Sequence, residues 1–230
     1  MEHSNENNVS FGYVHDSENG ITARDSNRNS MGGNTLQRNK VGIRLDRSLQ
    51  CIVKSNKILD NNNGIEMTDS MQNDLLGNEA RSKEIGISLA GSSKNNITGN
   101  QIRDCRQGIK MVRCNLNILC FNNISQNDNG MNLDEGVYPE ESSENLIYLN
   151  EFVDNTYDVH SFISSNSWNS NEILHYQYRG RGFFSKLGNY WATERAADAD
   201  GNGISDSSRN VGSDQDVYPL MEAIVKYKLG

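Results

Sequence analysis

The chain has 230 residues, only 35% of them apolar, and a mean hydropathy of −0.72, which is too polar for a sphere-like globule of this size. Its net charge of −8 and pI near 5.0, with Lys and Arg scattered and never in a run, exclude nucleic-acid binding, which needs clustered cations against phosphate. The acidic balance suits cations and meets an anionic polymer poorly unless metal ions bridge the two, and no apolar stretch of about 18 residues is present to insert into a membrane.

The segment from Met1 to Ser10 is polar and lacks a signal-peptide core. On the sequence alone, an intracellular protein or a fragment that has lost its leader is expected. Val9 and Val14 fit half a repeat, as if the chain began partway through a turn without an N-terminal cap. A 22-residue period follows, with glycine at Gly20, Gly42, Gly64, Gly86, Gly108 and Gly130. Each is followed by an aliphatic residue (Ile21, Ile43, Ile65, Ile87, Ile109, Met131) and, two positions on, by Ala23, Leu45, Met67, Leu89, Met111 or Leu133. Half a period later come Met31, Val53, Leu75, Ile97 and Leu119, then Asn34, Asn56, Asn78, Asn100 and Asn122, then Leu36, Ile58, Ala80, Ile102 and Ile124. Apolar residues two apart share one face of a strand. Each repeat is therefore expected to hold two or three short strands, separated by Gly, Asn, Asp and Ser at tight or left-handed bends. No 3.6-residue stripe supports a helical array. Strands this short bury their apolar face only when coils stack, with parallel pairing at about 4.8 Å per coil. The Asn column is expected to form an inward ladder of amides along the stack, with a sugar-binding row as the alternative.

After Gly130 the segment Asp134 to Glu144 runs six residues beyond the period before Ile147, Asn150 and Phe152 resume it. It is acidic (Asp134, Glu135, Glu140, Glu141, Glu144) and reads as a solvated bulge or as a binding loop. Asn166 and Trp168 repeat the Asn-x-apolar element in a shorter coil. The four cysteines (Cys51, Cys105, Cys114, Cys120) have no zinc-like spacing, so free or buried thiols are expected, with one disulfide as the alternative. Beyond about Tyr157 aromatics concentrate: Tyr176, Tyr178, Phe183, Phe184, Tyr190 and Trp191. They are expected to cap the last coil, or, at Tyr176, Tyr178 and Trp191, to stack on a sugar. The stretch Asp198-Ala-Asp-Gly-Asn-Gly-Ile-Ser-Asp206 matches the start of the calcium-loop pattern D-x-[DN]-x-[DN]-G. Asp198, Asp200 and Asn202 would supply side-chain oxygens, Ile204 its carbonyl, Asp206 the ninth position, and Asp214 or Asp216 would help complete a structural Ca²⁺ site. Arg209 stands where a bidentate Glu is usual.

The repeats and the terminal order Leu187-Gly-Asn-Tyr-Trp191, Asp198 to Asp206, Asp216-Val-Tyr-Pro-Leu220 resemble the NosD-type β-helix (carbohydrate-binding and sugar-hydrolase, CASH) of methanogenic archaeal surface proteins. The repeat likeness spans Gly20 to Asn155, and the more specific terminal motifs span Gly188 to Leu220. Residues 205–209 depart from the continuation that such domains tend to have. The resemblance implies an all-β, right-handed, single-stranded parallel β-helix and an extracellular or cell-envelope location. The expected division is 1–156 for the coils and 157–230 for the last coil, aromatic cap and Asp-rich loop. Catalysis on polysaccharide would need paired carboxylates, or a base beside an Arg or metal. Adjacent coils could pair Asp104 with Asp128, or Glu66 with Lys110, yet no catalytic motif is legible and the four histidines are too scattered for a dyad or a copper cluster. No catalytic residue is assigned. The expected function is a non-catalytic envelope module that binds a glycan or a neighbouring surface protein, and the alternative is a polysaccharide-cleaving enzyme or a fragment of one.

Overall fold

The computed structural model describes residues 1–133, 142–193 and 196–230. Three-residue strands such as Ser30–Gly32, Ile52–Lys54, Asp74–Leu76 and Asn96–Thr98 stack into a seven-stranded parallel sheet. The other two strand columns of each coil join in a thirteen-stranded sheet, because Lys57–Thr68 and Glu79–Ala90 run unbroken through both. The chain is thus the parallel β-helix expected. Ile43 pairs with Ile65, Ile65 with Ile87 and Ile87 with Ile109, so residues 22 apart stack. Val9 and Val14 take their places beside Met31 and Leu36. Beyond the insertion the offset is 28, with Leu119 on Ile147 and Ile124 on Phe152. Of the acidic insertion, Asp134, Glu135, Glu140 and Glu141 lie outside the described residues.

The inward side chains form one continuous core from Ile21 to Trp191. The coils bend at single left-handed residues, among them Asp25, Arg47, Asp60, Asp69 and Asp104. The periodic glycines differ from expectation. None of the six has a positive φ, and all lie inside strands. A Cβ on Gly64 would come within 2.3 Å of the Gly86 carbonyl oxygen, and one on Gly42 within 2.7 Å of that of Gly64. The column therefore answers to a backbone-to-backbone approach between coils, not to bending.

Buried asparagines form ladders, and there are more of them than the sequence reading found. In the expected column, the backbone N–H and Nδ2 of Asn34 both donate to Oδ1 of Asn56, and the pattern repeats through Asn78, Asn100, Asn122, Asn150 and Asn189. A second column runs Asn73, Asn95, Asn117, Asn145, Asn166, and a third includes Asn39, Asn61, Asn127 and Asn155. Every Asn-to-Asn bond donates toward the C-terminal coil, while the other Nδ2 hydrogen goes back to a carbonyl of the preceding coil, so each ladder finishes with N–H groups in need of an acceptor. Carboxylates supply it: Asp216 takes the Asn189 amide at 2.8 Å, Asp214 the Asn166 amide at 2.9 Å, and Asp158 the Asn155 side chain at 3.3 Å. The Trp168 and Trp191 indoles donate to the same Asp214 and Asp216.

All four cysteines are free and buried, and Cys51, Cys105 and Cys114 continue inward polar columns. Burial pushes the Cys105 thiol up to about 11. After Trp168 the chain leaves the stack to form an antiparallel sheet of Leu174–Tyr178, Arg181–Ser185 and Tyr227–Leu229. It then returns at Tyr190–Trp191, which pairs with Glu151 and Phe152.

Candidate functional site

Tyr176, Tyr178 and Trp191 are all buried. Trp191 is stacked on Phe152 at 4.3 Å, with the Arg209 guanidinium 4.3 Å from its ring centroid. Tyr178 stacks on Tyr227 at 5.0 Å, and Tyr176 lies against Phe183 at 5.7 Å. These three residues, singled out as a sugar platform or cap, have their rings covered by protein and belong to two packed cores. Burial first, then Asp200 and Asp198, pushes the Tyr176 hydroxyl up to about 12.

The Asp-rich loop closes on itself. Asp198 accepts from the amides of Asn202 and Gly203, Asp200 from the amide and side chain of Asn202, and Asp206 from the Ala199 amide. Tyr176 donates its hydroxyl to the Asn202 carbonyl at 3.0 Å, and Tyr227 donates to that of Gly203. Ile204 is buried and bridges to Leu220. Asp216 is buried apart from this hydrogen-bonded loop, at the end of its ladder.

Charged side chains converge instead at the one place where the described coils slip register. Asn39 and Asn61 are followed, 22 residues on, by Lys83 and then Cys105. The coil shortens so that Ser82 takes the inward place opposite Asn61, with shifts on both sides of it. Bulges of this kind re-aim side chains, and here Lys83 and Glu84 are exposed. Asp60, Arg81, Ser82, Lys83 and Asp104 line an open groove of about 400 Å³. Asp60 accepts from Arg81 and Gln37, both at 3.2 Å, while Arg103 bridges Glu79 at 3.0 Å and Asp104 at 2.9 Å. Ser82 Oγ is buried without a partner among the described residues. Three carboxylates and two guanidiniums thus alternate over successive coils, a surface able to hold hydroxyl and carboxylate groups. Sequence reasoning missed this groove, although the Asn column's lapse at Lys83 was its visible signal. Of the pairs weighed on sequence, Glu66 is bound by Arg44 at 2.6 Å and by Asn63 at 2.6 Å, and Asp104 by Arg103.

A family model described as "Periplasmic copper-binding protein (NosD)" matches residues 1–196. The chain belongs to the NosD family. Among solved structures it is similar to a variant of the periplasmic alginate epimerase AlgG, with TM-score 0.55, 21% identity and coverage of 62% of this chain and 35% of that one. It is also similar to the A-module of the Azotobacter vinelandii mannuronan C-5 epimerase AlgE6, with TM-score 0.56, 11% identity and coverage of 70% and 57%. These likenesses show the fold, and the chain spans about a third of the first and over half of the second. No curated protein matches.

The family description corrects the calcium assignment. NosD proteins are described as binding copper, and in this member Asp198, Asp200, Asn202 and Asp206 already serve the loop's own amides and Asp216 is spent on a ladder. Copper does not fit the described donors either. His15 is bonded to Asp16, His160 lies edge-on to Phe162, His175 lies tilted against Phe184 and the thiols are buried. Among the described residues no three His, Cys, Asp or Glu side chains converge on a metal position.

Proposed function

We propose that this NosD-family chain is a non-catalytic module of the cell envelope that binds polysaccharide on its coil surface. The observation that carries the reading is the charged groove at the register slip, where Asp60, Arg81, Lys83 and Asp104 from successive coils face outward together. Its volume of about 400 Å³ suits one or two sugar rings. The family's periplasmic description and the two epimerases named for alginate and mannuronan support an envelope setting and a glycan ligand. A glycosidase keeps one carboxyl protonated and another ionised. Asp60 and Asp104 in the groove, and Glu79 beside it, each lie against a guanidinium, an arrangement for holding a ligand. The division of the chain into coils (1–156) and a capped end (157–230) belongs to this proposal, the coils carrying the ligand. No helix of the described residues is long and apolar enough to cross a membrane.

The test is a glycan array read beside reducing-sugar and unsaturated-product assays, with wild type and Arg81→Ala. The expected result is binding without turnover, weakened about tenfold by Arg81→Ala, the scale of one charge-assisted hydrogen bond. Binding that is indifferent to Arg81→Ala, or turnover abolished by Asp60→Asn or Asp104→Asn, overturns the reading in favour of another site or of an enzyme.

A further inference from the structure

The cations of this acidic chain are unevenly placed. From Cys114 to Tyr178 the sequence holds no Lys or Arg and ten Asp or Glu. The terminal antiparallel sheet then reverses the sign, with Arg179, Arg181, Lys226 and Lys228 on or beside its strands and no acid within them. Tyr176, Tyr178 and Tyr227 turn inward, so strand alternation turns His175, Gln177 and Lys228 outward, and Lys226, at the end of the 3-10 turn before the third strand, is exposed. On that outer side Gln177 stands between Gly182 and Lys228, and His175 beside Phe184. Phe184 is 75% exposed, with its ring 4.7 Å from that of His175. A Cβ on Gly182 would meet only His175 Nε2, at 3.5 Å, so the sheet is bare there. The adjoining cleft, about 460 Å³, is lined by Gln177, Arg179, Gly180, Val225, Lys226 and Lys228, together with Glu222, which holds Arg179. Lys226 and Lys228 enter no ion pair among the described residues.

We infer that this outer face is a second glycan-binding surface, selective for a carboxylated polysaccharide. The inference rests on the proposed glycan-binding function and names an anionic class of ligand at a separate place. The chemistry matches part by part. The Phe184 ring offers an apolar face to the C–H side of a sugar, Gly182 lets the ring approach, Gln177 pairs with hydroxyls, and the two ammonium groups meet carboxylates. The net charge of −8 does not oppose this, since charges farther off than the Debye length of about 8 Å are screened at physiological salt.

Equilibrium binding of the full chain to sodium polygalacturonate, with neutral dextran and anionic phospholipid vesicles alongside, tests it. Wild type is expected to bind polygalacturonate, more weakly as salt rises, and to ignore dextran at this surface and the vesicles. Lys226→Glu with Lys228→Glu should weaken binding at least tenfold and Phe184→Ala severalfold, whereas Lys57→Glu with Lys94→Glu, the same charge change on the coils, should stay within twofold. All of these side chains are exposed, and unchanged thermal melting confirms that each variant is folded. No binding to polygalacturonate, equal loss in the doubly substituted coil control, or binding to vesicles in its place overturns the inference. Loss on Arg81→Ala alone, with the terminal variants unaffected, defeats the second surface and leaves the coil groove standing.

Discussion

Asp216 is the residue on which the longest asparagine ladder rests. It is fully buried, and burial pushes its carboxyl up to about 6, against the pull of the Asn189, Trp191 and Tyr218 donors. In the unfolded chain it titrates near its ordinary value of about 3.9. The folded state therefore takes up this proton first as pH falls. The stability linked to it is fully present below the unfolded value and is lost as pH rises through about 6, a span worth roughly 3 kcal/mol. Wild type should accordingly gain urea resistance relative to Asp216→Asn between pH 7 and pH 4.5. A difference between the two that stays flat across this range would show that the carboxyl titrates at its ordinary position. Asp16 behaves oppositely, because the exposed Arg38 pair holds its carboxyl far below the usual carboxylate range. Composition hid the role of Asp216. An Asp in an Asn- and Asp-rich tail reads as a metal ligand or a turn, and only the direction in which the rungs donate makes an acceptor necessary there.

At the scale of the strand, what could be read was whatever repeats. The inward columns at Ile43, Ile97 and Asn78 were legible because each place is set by the coil above and below, and the same demand recurs every 22 residues. The periodic glycines were found for the right spacing and the wrong reason, since a close backbone approach and a bend both exclude a side chain. The bulge at Ser82 left only one faint trace, the lapse at Lys83, because it is a single event in one coil and no neighbouring column repeats it. Ile97, wholly buried between Leu75 and Leu119, tests the repeated part. Ile97→Asp places an unpaired charge between two packed coils and should cost more than about 4 kcal/mol, whereas Ile97→Val should cost about 1 kcal/mol. Thermal melts of the two variants measure this, and an Asp variant melting with wild type would remove that column from the core.

For the molecule as a whole, each coil meets the next through the same contacts, so length is a free variable. Deleting residues 43–64 joins Gly42 to Ile65 in register and should leave a folded, somewhat less stable β-protein by circular dichroism and melting. Deleting 43–62 instead shifts every column by two places and should abolish cooperative melting; equal folding of both deletions would refute the stacking rule. The ladders also give the stack a direction. Cut at any coil boundary, the Asn ladders of the N-terminal piece present amide hydrogens and those of the C-terminal piece present oxygens, whereas the strand backbones present both. Two such faces fit each other and do not fit themselves, which is the geometry of open fibre growth and not of a closed dimer. The carboxylates of Asp158, Asp214 and Asp216 occupy the hydrogen-bearing face. They fill the acceptor places that a further coil would take, so ladders stripped of them would end in open donors.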